Sequence, residues 1–415
     1  MEKDLIKYAE LIILKGINLQ KNQCVLIQGS IENYNFLKIL AKKAYEHGAK
    51  YVKLNIKDID ILKSRLKFSQ EKSLEFIPSA EKSFLEEMVQ DKWARINVDD
   101  TENFEDLEDL KDDIAQKMSI YQKALNLASK SLSQAIMSNE IAWCVVCSPG
   151  PKWASKVLNK KEGNETLEEF FKIQKKILFL NRENPIEKWE SHGEKLHKRC
   201  KILNELNLEK VIFKSEKTNL EVYLLETSLW TGGSEKVKGT EIEFNANMPT
   251  EEVFTTPNYK KTKGIVYATR PVMVLGTLIS GIWLKFENGK VVDFGCNDEK
   301  QKEILKSHIE TDIQAKYIGE VALVDSSSPI YQSNLIFYST LYDENASCHI
   351  ALGAAYPSCL SNEEDLKTDT NKLAYGCNVS LIHTDLMIGS DDLNVIGVSK
   401  NGKEYTIIKA GKFAI

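Results

Sequence analysis

The stretch Cys24-Val-Leu-Ile-Gln-Gly29 decides the fold of the first half of the chain. It is a short apolar run that ends in glycine, which indicates a buried strand. An amphipathic helix is predicted from residue 33 to residue 47, and a second strand follows in Gly48-Ala-Lys-Tyr-Val-Lys-Leu-Asn-Ile56. A strand, a helix and another strand in this order are typical of a parallel pair that is joined by a crossover helix.

The same alternation continues along the chain. Further apolar runs at residues 93–98 and 141–147 are separated by segments with helical periodicity. Because several of these runs are apolar almost throughout, we predict a mainly parallel sheet that helices cover on both faces. The loop after the first strand has neither a G-x-G-x-x-G pattern nor a P-loop, which disfavours nucleotide binding. The C-x-x-C pair of Cys144 and Cys147 lies in a predicted buried strand, so we interpret it as core packing.

From about residue 208 the pattern changes to short strands that are separated by turn residues. The sequences Asn288-Gly289 and Asn401-Gly402 predict two hairpin turns, because Asn-Gly tolerates positive φ at both central positions. A chain of 415 residues also exceeds what one hydrophobic core usually supports. We therefore predict an α/β domain with a mainly parallel sheet at residues 1–200. An α+β domain rich in antiparallel hairpins should occupy residues 201–415 and carry the functional site.

Composition narrows the class of protein. With 42% hydrophobic and 28% charged residues the chain is an ordinary globular protein, and its net charge of −5 argues against a nucleic-acid or membrane-surface partner. No apolar run reaches the roughly 20 residues of a membrane helix. The opening residues Met1-Glu-Lys-Asp-Leu-Ile-Lys carry charges where a secretory signal needs an apolar core. Together with eight dispersed cysteines, these features lead us to expect a cytoplasmic protein.

Three segments of the second domain have a high density of polar residues beside apolar ones. They contain Glu251-Glu252, Glu320, and the group His349, Tyr356, His383 and Asp385. Carboxylate and imidazole together are the ligands of hydrolytic zinc or cobalt sites. Since side chains alternate along a strand, His383 and Asp385 should lie on one face. A buried carboxylate must be paired or bound to a metal, and this favours a metal site in the second domain.

Other candidates for catalysis or metal binding are weaker. His192 and His197 are five residues apart, which puts them off a shared helical face, so we predict that both are solvated. Cys348 and His349 are adjacent on a predicted strand and should point to opposite faces, which excludes a catalytic dyad. The chain has no H-E-x-x-H motif, so a mononuclear zinc protease of that type is disfavoured.

Four stretches of the second domain resemble the aminopeptidase T family of dinuclear metallo-aminopeptidases. They are Asn-x-Pro-Thr-Glu-Glu-Val-Phe-Thr-x-Pro at 247–257, Gly-Glu-Val-Ala-Leu-Val at 319–324, Leu-Tyr-Asp-Glu-Asn-Ala-Ser-Cys-His-Ile-Ala-Leu-Gly at 341–353 and His-Thr-Asp-Leu-Met-Ile-Gly at 383–389. The similarity covers most of the second domain, and the set of matches is specific. The first domain is compatible in size and in its α/β pattern but contributes no such motif.

The resemblance implies a cytoplasmic, homodimeric exopeptidase that acts on peptides with a free N-terminus. It also implies two divalent metal ions, zinc or cobalt, with magnesium or manganese as alternatives. The metal ligands carried over from the family are Glu251, Glu320, His349, His383 and Asp385. Glu252 then becomes the catalytic base or a neighbour of the ligands, and Tyr356 falls where the family has a tyrosine at the site. The sequence does not decide which of Glu251 and Glu252 is the metal ligand, and Glu344 is an alternative candidate for the catalytic base.

The chemistry of such a site is coherent. Two metals about 3.5–4 Å apart can activate a water and polarise the scissile carbonyl, with Glu320 or Asp385 as a bridging ligand. A glutamate would take the proton of the water and pass it to the leaving amine. Tyr356 could donate to the oxyanion or touch a metal. The sequence leaves open two other functions: a non-catalytic metal-binding or scaffold protein on the same fold, or another dinuclear metallohydrolase.

Overall fold

A computed structural model of the chain describes residues 1–103, 112–275 and 277–415. Helices dominate the first half of the described chain and are sparse in the second half. Their bounds are α1 (Glu2–Leu11), α2 (Tyr34–Glu46), α3 (Ile59–Phe68), α4 (Glu71–Leu74), α5 (Ser79–Gln90), α6 (Asp112–Ala128), α7 (Lys130–Met137), α8 (Pro151–Leu158), α9 (Asn164–Ile177), α10 (Pro185–Glu205), α11 (Glu299–Ile309), α12 (Pro329–Gln332), α13 (Thr340–Glu344) and α14 (Asp369–Tyr375).

The strands show the opposite distribution. Their bounds are β1 (Cys24–Ser30), β2 (Tyr51–Lys57), β3 (Ala94–Asp99), β4 (Trp143–Cys147), β5 (Leu208–Lys214), β6 (Asn219–Tyr223), β7 (Glu235–Lys236), β8 (Glu243–Phe244), β9 (Asn247–Met248), β10 (Glu252–Thr255), β11 (Lys263–Tyr267), β12 (Val272–Val274), β13 (Thr277–Ile279), β14 (Trp283–Glu287), β15 (Lys290–Gly295), β16 (Ile318–Val324), β17 (His349–Gly353), β18 (His383–Met387), β19 (Asn394–Ser399), β20 (Glu404–Lys409) and β21 (Lys412–Phe413).

By internal contacts the chain divides into two compact units. The first contains residues 1–189 and 234–248, and the second contains residues 190–233 and 249–415. The two expected domains, 1–200 and 201–415, stay a prediction about how the chain is organised. The contacts assign the segment 234–248 to the first unit although it follows residue 200 in sequence.

The first unit is built on the parallel sheet that the sequence predicts. Its strand order is β2-β1-β3-β4-β9, and every pair in it is parallel. Val25, Ile27, Ala94, Ile96 and Val146 are fully buried on one face within the main core of this unit. Strands β1, β3 and β4 agree with the predicted runs to within two residues, whereas β2 begins three residues later than predicted.

The second unit contains two larger antiparallel sheets. One has eight strands in the order β15-β14-β11-β6-β5-β19-β20-β21, and the other has four in the order β10-β16-β17-β18. The hairpin predicted at Asn288-Gly289 joins β14 to β15, and both residues have positive φ, 49° and 81°. The prediction of an α/β part with a parallel sheet and a part rich in antiparallel hairpins is confirmed. Among the described residues, no helix is both long and apolar enough to cross a membrane.

Candidate metal centre

The four-stranded sheet β10-β16-β17-β18 brings the predicted polar residues onto one face. In the register of this sheet Glu320 is paired with Ala351, and Ala351 is paired with Asp385. His349 lies two residues before Ala351, and His383 lies two residues before Asp385, so all these side chains project from the same face. The methyl group of the buried Ala351 takes little space between them, which leaves room for the larger polar side chains to converge.

Two groups of side chains on this face have the geometry of metal ligands. Glu252, Glu320 and His349 form the first group, and Glu320, His383 and Asp385 form the second. Within each group, one ligand atom from every residue lies within 4.8 Å of the others. Glu320 belongs to both groups and therefore connects them.

The carboxylate of Glu320 faces both imidazoles at once. Its Oε1 lies 3.6 Å from Nε2 of His349, and its Oε2 lies 3.3 Å from Nε2 of His383. Nε2 of His349 is also 3.1 Å from Oε2 of Glu252, and Nε2 of His383 is 3.4 Å from Oδ1 of Asp385. The arrangement suits a carboxylate that holds two cations close together, one with each imidazole.

Backbone carbonyls orient both imidazoles. Nδ1 of His349 lies 3.2 Å from the carbonyl oxygen of Ser347, and Nδ1 of His383 lies 2.8 Å from that of Ala354. An Nδ1–H that donates to a carbonyl leaves the lone pair on Nε2, the nitrogen that faces the carboxylates. This is the tautomer that a metal ligand requires.

The site is buried, but one side of it meets solvent. The side chain of Glu320 is 6% exposed and that of His349 is 1% exposed, whereas His383 exposes 26% of its side chain. A molecule from solution would therefore reach the cluster at His383.

A buried oxygen in the cluster lacks a hydrogen bond. Oε2 of Glu252 has no hydrogen-bond partner among the described residues, although Nε2 of His349 is 3.1 Å away. A buried carboxylate oxygen without a full set of hydrogen bonds is available to a cation, and three carboxylates with two imidazoles are a suitable donor set. The residues therefore fit a divalent metal.

Electrostatics support this interpretation. Burial would lower the pKa of His349, but the carboxylates of Glu252 and Glu320 raise it well above its ordinary value. Burial raises the pKa of Glu252, and the negative charges of Glu320 and Asp385 add to this effect, while His349 opposes it. Without a cation the cluster therefore retains protons that offset its negative charge, and a divalent ion would replace them.

Glu251 lies apart from these two ligand groups. Its Oε2 is 3.7 Å from Nε2 of His192, and its backbone N–H donates to Oδ1 of Asn345 at 2.7 Å. Adjacent residues of an extended segment point in opposite directions, so only one of Glu251 and Glu252 can face the cluster. In this register it is Glu252.

The prediction that His192 is solvated was wrong. His192 is 8% exposed, and its Nε2 lies 2.8 Å from the carbonyl oxygen of Thr250. His197, on the same helix α10, is exposed as predicted. The side of α10 that is buried depends on packing in the second unit, and the mixture of charged residues around both histidines gave no signal of it.

Tyr356 lies beside the cluster. Its ring centroid is 5.1 Å from that of His383 and 5.7 Å from that of Phe254. Burial, reinforced by the negative charges of Glu320 and Asp385, raises the pKa of the Tyr356 phenol well above its ordinary value. The phenol therefore keeps its proton at neutral pH and can donate it in a hydrogen bond.

Glu344 is a further acidic group near the cluster. It is the last residue of α13, and its Oε1 accepts a hydrogen bond of 3.3 Å from Nδ2 of Asn345. Burial, together with the charges of Asp385 and Glu252, raises its pKa well above the ordinary value. A carboxyl group beside the cluster is a candidate for taking up a proton and releasing it again during the reaction.

An ion pair anchors the turn before Glu344. Asp343 accepts hydrogen bonds from the backbone N–H groups of Phe337 and Ser339, and its Oδ1 is 3.5 Å from the guanidinium of Arg270. Arg270 also donates to the carbonyl oxygen of Leu335 at 2.7 Å. Arg270 was not among the residues predicted from the sequence, because a lone arginine between strands carries no positional signal.

Comparison with known proteins agrees with this geometry. The model of the family described as thermophilic metalloprotease (M29) matches residues 1–413. Aminopeptidase AmpS of Bacillus subtilis is 36% identical over 411 residues, which cover 98% of this chain and 97% of the relative. Aminopeptidase 2 of Geobacillus stearothermophilus is 34% identical and covers 100% of this chain and 98% of its own length.

A solved structure gives the same result. Wild-type AmpT from Thermus thermophilus superposes with a TM-score of 0.90 at 34% identity, and the match covers 100% of both chains. The resemblance to the aminopeptidase T family is thereby confirmed over the full length, including the first unit, which has no family motif of its own. The chain belongs to the thermophilic metalloprotease (M29) family.

Proposed function

We propose that the protein is a metal-dependent aminopeptidase that releases N-terminal residues from peptides by using two divalent ions. The observation that carries the proposal is the position of Glu320, whose two oxygens face two imidazoles. Membership of a metalloprotease family implies a divalent metal and peptide substrates. The names of the relatives, which are aminopeptidases, favour hydrolysis at the N-terminus.

The proposed ligands are the five residues of the two groups that share Glu320. They are Glu252, Glu320, His349, His383 and Asp385. This assignment moves the ligand role from Glu251 to Glu252, because Glu252 faces His349 whereas Glu251 faces His192. Zinc or cobalt suits the mixture of imidazole and carboxylate, and the three carboxylates keep magnesium and manganese as alternatives.

When bound, the two ions would polarise the scissile carbonyl and increase the acidity of a water molecule. The residues of the chain would move the protons. Glu344 would accept a proton from the attacking water and return it to the leaving amine, since it is a carboxyl group close enough to the cluster for the charges of Asp385 and Glu252 to act on it. The protonated phenol of Tyr356 would donate a hydrogen bond to the oxygen on which negative charge develops. The free α-amine of the substrate would bind one of the ions or a carboxylate beside the cluster, and so select N-terminal residues.

The test begins with metal removal from the complete protein. Chelation should abolish hydrolysis of an amino-acid anilide, and added Co²⁺ or Zn²⁺ should restore it. Elemental analysis of the loaded protein should give two ions per chain. Hydrolysis that survives exhaustive chelation would overturn the metal mechanism, and a stoichiometry of one would overturn the two-ion site.

A matched pair of variants tests the choice between the adjacent glutamates. Glu252→Gln should lower the bound metal from two ions to about one per chain, whereas Glu251→Gln should keep both. The reverse pattern would restore Glu251 as the ligand. A loaded protein that binds two ions but hydrolyses no substrate in a panel of N-terminal peptides would instead be a metal-binding scaffold.

The proposal also includes a cytoplasmic location and a homodimeric assembly. None of the eight cysteines, all of which lie among the described residues, is in a disulfide, and this suits the reducing cytoplasm. The homodimer is a proposal that rests on the family resemblance. Light scattering on the purified protein should give a mass close to twice the 47.1 kDa of the chain.

A further inference from the structure

The two most exposed large hydrophobic side chains among the described residues both lie in the second unit. Leu381 is 84% exposed and Ile313 is 83% exposed. Single hydrophobic residues on a protein surface are common and need no explanation. These two residues differ from that ordinary case because hydrogen bonds hold their segments together, although the segments are far apart in sequence.

The carboxylate of Asp312 joins the two segments. Its Oδ1 accepts hydrogen bonds from the backbone N–H groups of Gln314 at 2.8 Å and Ala315 at 2.9 Å. Its Oδ2 accepts hydrogen bonds of 2.8 Å from the hydroxyl of Ser380 and from the backbone N–H of Leu381. Burial would raise the pKa of Asp312, but these four hydrogen bonds lower it below its ordinary value. The carboxylate is therefore charged at neutral pH and fixes both segments in place.

The exposed pair lies beside the open side of the metal centre. Leu381 is two residues before His383, and two residues span at most about 7 Å. His383 is the proposed ligand that exposes 26% of its side chain, so it marks the side that meets solvent. Between the two residues, the carbonyl oxygen of Ile382 accepts a hydrogen bond of 2.7 Å from the backbone N–H of Ala354. The segment that carries Leu381 is thus fixed both at Asp312 and at the metal centre.

The direction of the substrate decides which part of it meets this pair. In an aminopeptidase of the kind proposed above, the free α-amine and the scissile bond lie at the buried ions. The rest of the peptide must then leave through the open side at His383. An extended peptide advances about 3.3 Å per residue, so the first two residues after the scissile bond lie within about 7 Å of it. Their side chains are the parts of the substrate that pass Leu381 and Ile313.

We propose that Leu381 and Ile313 bind apolar side chains of the first two residues after the scissile bond. The preferred substrates are then peptides in which apolar residues follow the N-terminal one, and this inference rests on the proposed aminopeptidase function. Contact with such side chains removes exposed apolar surface from water on both molecules, which is favourable. Because hydrogen bonds already fix both segments, little conformational freedom is lost when the peptide binds.

Hydrolysis of two tripeptides by the metal-loaded protein tests this inference. Ala-Leu-Leu and Ala-Ser-Ser release the same residue and differ only after the scissile bond. In the wild type, kcat/KM for release of alanine should be at least about tenfold higher for Ala-Leu-Leu. In Leu381→Ser the ratio of the two values should fall below about threefold, and Ile313→Ser should also lower it. Ile61→Ser alters a residue of the first unit that is 70% exposed and should keep the wild-type ratio.

A ratio close to one in the wild type, or an unchanged ratio in Leu381→Ser, would overturn the inference. An unchanged ratio together with a lower mass in light scattering would assign the exposed pair to a contact with a second copy of the chain. Alaninamide has no residue after the scissile bond, so its hydrolysis by the wild type reports on the metal centre alone. If alaninamide is hydrolysed and the ratio fails, only the role of the exposed pair is wrong. If neither alaninamide nor the tripeptides are hydrolysed, the proposed function is wrong and this inference with it.

Discussion

The two units of this protein differ in how their buried charged side chains are paired. In the second unit each imidazole of the metal centre contacts two carboxylates, and one carboxylate, that of Glu320, contacts both imidazoles. In the first unit the Nε of Arg95 is buried without a hydrogen-bond partner among the described residues. The first arrangement stabilises charges against each other and still favours a cation, whereas the second leaves one N–H group of a cation without an acceptor.

The largest effect should come from breaking the shared ligand. In Glu320→Gln both ligand groups lose a charged oxygen, so hydrolysis of an amino-acid anilide should fall by at least about 10³-fold, equivalent to roughly 4 kcal/mol of transition-state stabilisation. Steady-state kinetics at saturating Zn²⁺ or Co²⁺ measure this loss. Glu404→Gln changes an exposed glutamate of β20 and should leave the rate unaltered. A loss below tenfold in Glu320→Gln would contradict the role of Glu320 as the connecting ligand.

A second prediction concerns Asp343, a buried acid whose partner of opposite charge is Arg270. Burial raises the pKa of Asp343 from 3.8 to about 6, although Arg270 and backbone N–H groups oppose the shift. The folded chain therefore binds this proton more tightly than the unfolded chain does. The stabilisation that the proton provides is present at low pH and is lost as the pH rises from about 4 to about 6.

Asp343→Asn removes this dependence. The measured quantity is the free energy of unfolding of the wild type minus that of the variant. As the pH rises from 3.8 to about 6, the two pKa values of Asp343, this difference should fall by roughly 3 kcal/mol, at about 1.4 kcal/mol per pKa unit. Above pH 7 the difference should be flat. Urea unfolding of the metal-free proteins between pH 4 and pH 8 measures it. A difference that is constant over the whole range would mean that Arg270 keeps Asp343 ionised throughout.

Predictions from sequence succeeded where the geometry of the site follows from a local pattern, such as the two-residue alternation of side chains along a strand. The alternation of strand side chains places His383 and Asp385 on one face, and their nearest ligand atoms are 3.4 Å apart. The Asn288-Gly289 turn also forms as predicted, since its backbone requirement is local. The choice between Glu251 and Glu252 needed the register of β10 against β16, which depends on partners far away in sequence. The unpaired state of Arg95 likewise depends on which residues surround it in the folded unit.

A smaller effect is expected from His192, which lies beside the proposed metal ligands. His192 contacts the carbonyl oxygen of Thr250, immediately before the paired glutamates. His192→Phe keeps a ring but loses this contact, so metal affinity should fall about tenfold. This is the lower end of the range of effects seen when groups that orient metal ligands are replaced. His197→Phe on the same helix should have no effect, because His197 is exposed. Equal affinities of the two variants, measured by equilibrium dialysis, would remove His192 from this role.

The smallest effect should appear in the first unit. Arg95→Met removes a half-buried cation that has no hydrogen-bond partner for its Nε among the described residues, and it keeps most of the apolar stem. The free energy of unfolding should rise by about 1 kcal/mol. Arg270→Met in the second unit should instead be destabilising, because it leaves Asp343 buried without its cation. A loss of stability in Arg95→Met would mean that the guanidinium is compensated and would weaken the contrast between the units.

Strand β9 has a consequence for synthesis of the protein on the ribosome. It pairs with β4 and completes the parallel sheet, yet it lies at residues 247–248, about a hundred residues after β4 in sequence. At the roughly 5–20 residues per second of translation, the nascent chain must wait several seconds after β4 emerges before its edge can be covered. During that interval β4 presents unpaired backbone groups, a template for wrong strand pairing. A fragment that ends at residue 200 would keep that edge permanently.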